Sequence, residues 1–451
     1  MQPNIKISRD ISLFLEEIEA RFPVDTWQIG SVHIWFLIRL KLGGYLEETF
    51  LKHPLDPKPK HQNHFRNLFK LSLNWLRFFR KNKQVKTLVV GHSFSRFVHG
   101  GQSYHRFASI FLEKPECAFL EFQESPAEPA IGQDSLAGNL IHYLGFLLLR
   151  RQPKIIAVNS YDAFLQFLEE KGFAEFSKEL TLNQLQKTVD KIERKSLIIS
   201  KILRYFKVQK VIVFIYTRID CLSVILAAKN CGIEVIDHQH ALFEDQEFTL
   251  HKIPKTPTGG YELQPDAFWC WHQAEVSRIT AGPAFAGGSA WHQLMASLPV
   301  EVLPKPTKII FYTTSPTAAL LPTALITAIK TSTAAYKWHI RLHPAQLNLK
   351  ENLWLSLEKE GIQDRVELDI PNRLSLVVLL QNADLHIAHF SSTTIDAATL
   401  GIRTVLIQKG DIHFLPKKYV FYLSEAPWWP QLEVAMAQKP PMPFEELSVV
   451  V

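Results

Sequence analysis

The chain has 451 residues, of which 47% are hydrophobic and 21% are charged, and its formal net charge is +6. This length is too great for one ordinary core and predicts two domains, while the balance of hydrophobic and charged residues excludes general disorder. The four cysteines form no CxxC pair, which argues against a zinc motif and favours buried thiols in a reducing compartment.

Residues 1–86 are predicted to form a helical extension. The opening segment mixes charged and apolar residues at helical spacing and so does not resemble a signal peptide. The apolar stretches of the chain are also shorter or more charged than the roughly 20 apolar residues that a membrane-spanning helix needs. We therefore expect a cytoplasmic protein without a membrane span.

Residues 58–86 combine basic and aromatic residues and contain no acidic residue. This pattern is typical of a helix that lies in an anionic membrane interface with its aromatic side chains inserted, which predicts a peripheral protein at the inner face of the cell membrane. The alternative is a helix packed on its own domain with a solvated basic face. Nucleic acid is not expected as a partner, because no DNA- or RNA-binding motif accompanies the basic segment.

From residue 87 onwards, short apolar runs rich in β-branched residues alternate with helical segments, which predicts parallel βαβ units. We predict an α/β fold with two Rossmann-like, doubly wound domains facing across a cleft. The first would span residues 87–299, the second 300–430, and a tail 431–451. The predicted strands are 87–91, 117–122, 154–158, 211–216, 233–237 and 267–271 in the first domain, and 308–314, 337–343, 384–390 and 404–408 in the second.

The strongest functional motif is a run of four hydroxyl residues, 391–394, between a predicted strand and a helix. Backbone N–H groups at a helix start favour an anion, and the hydroxyls of Ser391, Ser392 and Thr393 add further donors. This turn therefore predicts a phosphate site, and Asp396 in the following helix could accept hydrogen bonds from a ribose. The alternative is that Ser391 caps the helix and Asp396 complements its dipole.

A second motif, RLHPAQ, places His343 at the carboxyl end of a predicted strand, where Pro344 fixes the turn. A histidine in this position can donate a hydrogen bond to a phosphate oxygen. Arg341 would add positive charge if its side chain points the same way.

These two motifs together resemble those of a known group of enzymes. The hydroxyl-rich turn, Asp396, the small residues after it and Gly401 resemble the donor-binding helix of GT-B glycosyltransferases. The HP and SS pairs resemble those of bacterial sialyltransferases and capsular Kdo transferases, which use CMP-sugars, and of the polyol-phosphate transferases of wall teichoic acid synthesis. This resemblance covers residues 307–410. It implies that His343 holds the donor phosphate or cytidine, that Ser391 and Ser392 hold the phosphate, and that no metal cofactor is needed.

A third motif, VIDHQHALF, follows a predicted strand of the first domain and resembles the Q-H-G turn of capsule and teichoic-acid enzymes, with Ala241 in place of Gly. His240 could be the general base for an acceptor hydroxyl, since imidazole titrates near neutral pH, or it could bind the donor phosphate. Asp237 is the second predicted catalytic residue. The alternative is a polar strand end with structural histidines. A metal site is not expected, because no other cluster has ligand-like spacing.

A fourth motif, GHSFSRFVHGG, follows the first strand of the first domain. His92, Ser93 and Arg96 are predicted to position the acceptor, with Arg96 near an anionic group. Asp220, after a later strand, is another possible base.

These motifs predict a glycosyltransferase that moves a sugar from a CMP- or UDP-linked donor to a surface polysaccharide or a lipid-linked acceptor, inverting and without metal. A nucleotide-sugar epimerase of the same fold is a second hypothesis, although it would need more carboxylates at the strand ends than the sequence offers. A non-catalytic scaffold for polysaccharide assembly is the third.

Overall fold

The computed structural model describes residues 3–449 except 52–64, 82–84, 124–134, 148–152, 244–247, 304–307 and 408–411 and the single positions 251, 317, 390, 413, 426 and 448. It forms two compact units, residues 3–96 with 107–287 and residues 97–106 with 288–451. The strands are β1 (Gln28–Ile29), β2 (Val32–His33), β3 (Thr87–His92), β4 (Arg96–His99), β5 (Gln102–His105), β6 (Cys117–Phe122), β7 (Ser135–Ala137), β8 (Ile155–Ala157), β9 (Lys210–Val213), β10 (Glu234–His238), β11 (Ala267–Cys270), β12 (Ala284–Ala286), β13 (Lys308–Thr313), β14 (Tyr336–Arg341), β15 (Val366–Glu367), β16 (Leu385–Ala388), β17 (Thr404–Leu406) and β18 (Val420–Tyr422). The helices are α1 (Pro3–Arg21), α2 (Trp35–Leu51), α3 (Phe65–Lys81), α4 (Asn139–Leu147), α5 (Tyr161–Glu170), α6 (Ala174–Ser177), α7 (Leu182–Phe206), α8 (Ile219–Lys229), α9 (Gln273–Val276), α10 (Ala290–Ser297), α11 (Thr323–Thr331), α12 (Lys350–Lys359), α13 (Asp369–Arg373), α14 (Leu376–Asn382), α15 (Thr393–Thr399) and α16 (Trp429–Ala437).

The first unit is built on a parallel sheet with the strand order β12-β11-β10-β9-β3-β6-β7. The chain moves outwards from β3 to β7 on one side and from β9 to β12 on the other. The direction of winding therefore reverses between β3 and β9, which is the topological switch point where open α/β sheets bind their ligands. The central strands are buried almost throughout, as their continuous apolar runs predict.

The second unit repeats this plan with a parallel sheet in the order β15-β14-β13-β16-β17-β18. Winding reverses between β13 and β16, where Thr313 pairs with Ala388. The prediction of an α/β fold with two Rossmann-like domains is confirmed, while the cleft between them stays a prediction. Helix α16 packs Leu432 into this core, so the predicted tail from residue 431 begins inside a packed helix.

One predicted strand lies elsewhere. Residues 154–158 were expected in the parallel sheet, but β8 pairs antiparallel with β1 in a small sheet of order β2-β1-β8. Ile155 and Ile156 are 40% and 60% exposed, which a central strand of a parallel sheet would not allow. The apolar run alone could not distinguish an edge strand from a buried one.

The helical segment at the start of the chain packs into the core of the first unit. Trp27, Trp35 and Phe164 form edge-on and tilted ring contacts within this core. At its centre the buried Glu19 carboxylate accepts hydrogen bonds from the Trp35 indole at 3.0 Å and from the Arg39 guanidinium at 2.9 Å. The helices α1 and α2 are therefore integral to the first unit.

In helix α3, the positions of three aromatic residues contradict their predicted insertion into a membrane. The indole of Trp75 donates to the Ala137 carbonyl at 2.8 Å, Phe78 is buried, and Phe79 stacks on Phe206 with ring centroids 5.0 Å apart. These rings pack on the first unit, as the alternative interpretation predicted, because they occupy the helix face that meets β7 and α7. None of the described helices is both long and apolar enough to cross a bilayer.

Candidate functional site

The carboxyl edge of the second sheet gathers the residues that follow β13, β14 and β16. The backbone N–H of His343 donates to the Thr314 hydroxyl oxygen at 2.9 Å, and the Thr314 hydroxyl donates to Gln346 at 2.7 Å. His343 follows β14 and Ser391 follows β16, and these two strands flank β13. Both still lie at the same edge of the sheet, because all three strands are parallel, and the imidazole of His343 is exposed.

The hydroxyl-rich turn lies at the switch point of this sheet, directly after β16. The Ser391 hydroxyl oxygen accepts hydrogen bonds from the Thr393 N–H at 3.3 Å and the Thr393 hydroxyl at 3.2 Å, while the N-cap residue of α15 is Ser392, which makes no side-chain capping bond. Ser392 is half-buried, and its hydroxyl has no hydrogen-bond partner in the described part of the chain. The Ser391 hydroxyl is thus engaged within the turn, and that of Ser392 is available to a ligand.

His389 is a candidate that the sequence motifs missed. It is buried between β16 and the hydroxyl-rich turn, and its Nε2 lies 3.1 Å from the Tyr312 hydroxyl. Its Nδ1 has no hydrogen-bond partner among the described residues. Burial lowers the pKa of His389 to about 4, so the imidazole is neutral at pH 7. Its position at the carboxyl end of a strand next to two serines was the signal that could have identified it.

Arg341 does not serve the phosphate site as predicted. Its guanidinium turns away from the strand end and donates to the carbonyls of Pro371 and Leu374, both at 2.7 Å. Burial lowers the pKa of this guanidinium. Arg341 therefore fixes the segment after β15, and the carboxyl edge offers mainly uncharged donors.

Asp396 is fully buried, which corrects the predicted contact with a ribose. Its Oδ1 accepts a hydrogen bond from the Trp291 indole at 2.8 Å and lies 3.0 Å from Nε2 of His292. Arg106 Nη2 lies 3.7 Å from Oδ2. Burial alone would raise the pKa of Asp396, but His292, Arg106 and Trp291 outweigh it and the net shift is downwards. Burial lowers the pKa of His292, so a neutral imidazole faces a carboxylate.

Arg106 reaches Asp396 because the β4–β5 hairpin packs with the second unit. The predicted first domain included these residues, but 97–106 belong to the second unit. The Phe97 ring meets Trp291 edge-on with centroids 5.3 Å apart, and the Arg106 guanidinium lies 4.7 Å from the centre of the same indole. The hairpin thereby supports the helix that starts at the hydroxyl-rich turn.

In the first unit, the predicted acceptor residues occupy the switch point between β3 and β9. His92 is buried, and burial together with the charge of Arg218 lowers its pKa to about 4. Ser93 is half-buried and begins the turn that follows. Arg96 does not face an anionic ligand as predicted, because its guanidinium forms two hydrogen bonds with the buried carboxylate of Glu121.

Two charged residues near this switch point change the predicted chemistry. The Arg218 guanidinium, which the motifs missed, lies 5.1 Å from the centre of the exposed Phe94 ring. Asp220, a possible base, is paired with the Lys195 ammonium at 2.5 Å. Burial would raise the pKa of Asp220, but Lys195 and neighbouring cationic groups lower it overall. An ionised carboxylate that is stabilised in this way is a weak base, so Asp220 suits a structural ion pair.

The DHQH segment divides into structural and cavity-facing residues. Gln239 is buried, with its side-chain oxygen accepting from the Trp271 N–H at 2.7 Å and its amide donating to Glu275 at 3.1 Å. Asp237 and His240, the two predicted catalytic residues, line one cavity of about 230 Å³ within the first unit. Among the described residues, no group of three or more His, Cys, Asp or Glu is arranged to hold a metal ion.

The same cavity is bordered by a strained residue. Ile215, just after β9, has a backbone φ of 59°, in the left-handed region. For a β-branched residue this conformation is a true outlier, and sparsely populated backbone conformations cost roughly 1–3 kcal/mol and concentrate at functional sites.

Comparison with known proteins adds similarities of fold. No family model matches the chain, and no curated protein matches it. Among solved structures, it is similar to the UDP-GlcNAc 2-epimerase from Methanocaldococcus jannaschii, with a TM-score of 0.46, 11% identity and coverage of 78% of this chain and 94% of that one. It is also similar to the wall teichoic acid polymerase TagF (TM-score 0.38, 12% identity, 83% of this chain and 78% of that one). For MurG of Acinetobacter baumannii the TM-score is 0.35, the identity 13%, and the coverage 78% of this chain and 91% of that one.

Proposed function

We propose that this protein is a glycosyltransferase whose second unit binds the phosphate of a nucleotide-linked sugar. The observation that carries this proposal is the position of the hydroxyl-rich turn, with Ser391 and Ser392, at the topological switch point between β13 and β16. Ligands of doubly wound sheets bind outside the carboxyl ends of the strands at such a point. The exposed His343 lies at the same edge, one strand away.

The donors available there suit a phosphate. Backbone N–H groups, serine hydroxyls and a histidine can together hold an anion without a glycine-rich loop. Donors that are fixed before the reaction stabilise the charge that develops on a departing phosphate, and this electrostatic term is usually the largest in such catalysis. Ser392 and His343 would contact the phosphate, and Ser391 would contact it while also accepting the hydrogen bond from the Thr393 N–H.

Sugar transfer also needs an acceptor. In the proposed reaction an acceptor hydroxyl attacks the anomeric carbon, a new carbon–oxygen bond forms, and the bond to the donor phosphate breaks. The phosphate leaves with the electron pair, and His240 takes the proton of the attacking hydroxyl. In the proposed reaction hydrogen-bond donors stabilise the departing phosphate, and His240 is the general base.

Calorimetry with CMP, UDP and GDP on the whole protein tests the donor site. We expect one nucleotide to bind, and the double variant Ser391→Ala with Ser392→Ala to bind it roughly 10- to 100-fold more weakly, because hydrogen bonds to a charged group contribute about 1.5–3 kcal/mol. Ser356→Ala, on the exposed face of α12, is the matched control. Equal affinity of the double variant and the control would refute the phosphate site.

Incubation with the matching nucleotide-sugar separates the alternatives. A transferase gives slow hydrolysis in the absence of an acceptor, an epimerase gives a second sugar without any acceptor, and a scaffold leaves the sugar nucleotide unchanged. Formation of a second sugar would support the epimerase, and an unchanged sugar nucleotide would support the scaffold. Either result would refute the proposed transferase.

We also propose that the protein contacts an anionic membrane surface with the exposed face of α3. This face carries Leu73 and Leu76 together with Arg77 and Arg80, and all four side chains are exposed. Apolar side chains flanked by arginines favour a negatively charged interface. Such contact would suit an acceptor that is anchored to a lipid, and it would make the protein peripheral and cytoplasmic.

A further inference from the structure

The cavity next to Asp237 and His240 has no assigned ligand. It lies at the carboxyl ends of the neighbouring strands β9 and β10 and has a volume of about 230 Å³. This is smaller than the roughly 300–1,000 Å³ of pockets that enclose a drug-sized ligand, so it can hold only one part of a larger molecule. Most of its wall is apolar and comes from Leu40, Ile215, Phe243, Phe248 and Leu250.

The apolar wall depends on two consecutive glycines in α2. A Cβ atom at Gly43 would lie only 2.3 Å from the Phe248 ring, so only glycine lets this ring pack against the helix. A Cβ atom at Gly44 would meet no atom within 4 Å, and Gly44 lines the cavity. Glycines weaken the interior of a helix, and at these positions they create both the ring contact and the open space.

The wall is held in place from two sides. The Arg39 guanidinium donates to the Phe248 carbonyl and to the buried Glu19 carboxylate, and the exposed fractions of these two side chains are 5% and 0%. On the other side, the Tyr216 hydroxyl donates to the Thr249 carbonyl at 2.7 Å. The cavity is therefore preformed, which lowers the entropy that a ligand loses on binding.

The cavity also has polar lining residues, and one of them is acidic. These residues are Asp237, His240, Thr217, Thr249 and Tyr216. No lysine or arginine lines the cavity among the described residues. The lining carboxylate can accept a hydrogen bond from a ligand hydroxyl, and the lining residues offer a ligand anion no Lys or Arg side chain.

We infer that this cavity binds the apolar end of an uncharged alcohol, with the hydroxyl group directed at Asp237 and His240. If the proposed function is correct, on which this step rests, the acceptor belongs to this class: an apolar body that carries a hydroxyl. A free sugar would leave the apolar wall without a partner. An anionic group would meet the Asp237 carboxylate.

Ligand-observed NMR on the full-length protein tests this inference with three probes of similar size. We expect cyclohexylmethanol to bind, and glucose and cyclohexanecarboxylate to bind at least tenfold more weakly. Gly44→Leu places a side chain in the cavity where no protein atom would collide with its Cβ, and it should weaken binding of cyclohexylmethanol at least tenfold. Lys41→Leu, an exposed position on the same helix, should leave binding unchanged.

Two outcomes would overturn the inference. Undiminished binding of cyclohexylmethanol to Gly44→Leu would place the alcohol elsewhere, and equal binding of glucose or the carboxylate would refute the ligand class. If Gly44→Leu does not fold by circular dichroism, Leu40→Asp, at a half-buried lining position, replaces it with the same expected loss. Nucleotide affinity measured on the same samples distinguishes failure of the two proposals. If no nucleotide binds but cyclohexylmethanol does, the donor site is refuted and the alcohol site is still supported.

Discussion

The two units share a strand order but differ in the chemistry at their switch points. In the second unit the strand ends carry uncharged donors, with Ser392, His343 and His389 along the same carboxyl edge. In the first unit the charged residues around the switch point are engaged in ion pairs, between Arg96 and Glu121 and between Lys195 and Asp220. Charges that neutralise each other stabilise the structure around them, whereas uncharged donors remain suited to an anion. The sheet therefore determines where a ligand binds, and the loops determine which ligand it is.

The largest expected difference between the units is in how much stability each loses at acidic pH. Burial lowers the pKa of His386 to about 3 and that of His389 to about 4 in the second unit, and that of His92 to about 4 in the first. As the pH falls from 6.5, the pKa of an unfolded histidine, towards these folded values, the unfolded chain binds more protons than the folded chain, and the free energy of unfolding decreases. At pH 5 each of these histidines lowers the free energy of unfolding by about 2 kcal/mol. His386 and His389 together lower it by about 4 kcal/mol in the second unit, and His92 lowers it by about 2 kcal/mol in the first.

Hydrogen exchange between pH 7.5 and pH 5 measures this difference within one sample. Amides of β13 and β16 should lose more protection than those of β3 and β9. His389→Phe should reduce the loss in the second unit only. Parallel losses in both units, unaffected by this substitution, would contradict the assignment of His389 as a buried neutral group.

The next largest effect should come from Asp396→Ala. The substitution leaves Arg106 and His292 without their carboxylate, and breaking a buried ion pair typically costs about 3–5 kcal/mol. Because the Arg106 side chain is 29% exposed, we expect the lower end, about 3 kcal/mol, in the free energy of unfolding by urea. Asp364→Ala, at an exposed position, should change it by less than about 0.5 kcal/mol. A loss for Asp396→Ala no larger than this would remove Asp396 from the support of α15.

A third prediction contrasts two histidines. His240→Ala should reduce turnover at least about 100-fold if His240 is the general base, with little change in nucleotide affinity. His343→Ala should instead weaken nucleotide binding. Stopped assays with the cognate nucleotide-sugar, combined with calorimetry, measure both quantities. If His240→Ala lowers nucleotide affinity as much as turnover, His240 binds the donor and the proposed base is wrong.

The smallest effect concerns the exposed face of α3. Arg77→Glu with Arg80→Glu should weaken sedimentation with vesicles of phosphatidylcholine and phosphatidylserine by at least about 30-fold, because each lost basic residue contributes about 1 kcal/mol near such a surface and each new carboxylate is repelled by it. Lys187→Glu with Lys191→Glu, on exposed positions of α7, makes the same change in net charge elsewhere on the first unit. Equal losses for the two pairs would indicate an effect of net charge and would contradict a membrane contact at α3.

The sequence predicted the sheets well and the side-chain partners poorly. Buried β-branched runs marked most strands of the two parallel sheets, and the polar residues after them correctly placed His343 and Ser391 at one edge. These predictions succeed because the carboxyl ends of parallel strands meet at one edge whatever the strand order is. The catalytic roles of Asp237 and His240 stay a prediction.

The failures share a cause, since each depends on residues distant in the sequence. Arg96 was predicted to meet a ligand but meets Glu121, on a neighbouring strand. Asp396 was predicted to contact a ribose, but it contacts His292 and Trp291 instead. Trp291 lies 105 residues before Asp396 in the chain. A local sequence pattern does not predict contacts between side chains that are so far apart in the chain. Arg341 was expected to add charge to the phosphate site if its side chain pointed towards it, but it donates to the carbonyls of Pro371 and Leu374. The sequence does not show which way a half-buried side chain turns.

The hairpin of residues 97–106 affects how the second unit can be produced as a separate fragment. The polypeptide passes from one unit to the other and back at these ten residues before it enters the second unit again at residue 288. A fragment that begins at residue 288 would lack the Phe97 ring that packs on Trp291 and the guanidinium that faces Asp396. Proteolysis or truncation in front of that residue should therefore yield an unstable fragment, and a stable half would require residues 97–106 to be grafted onto it.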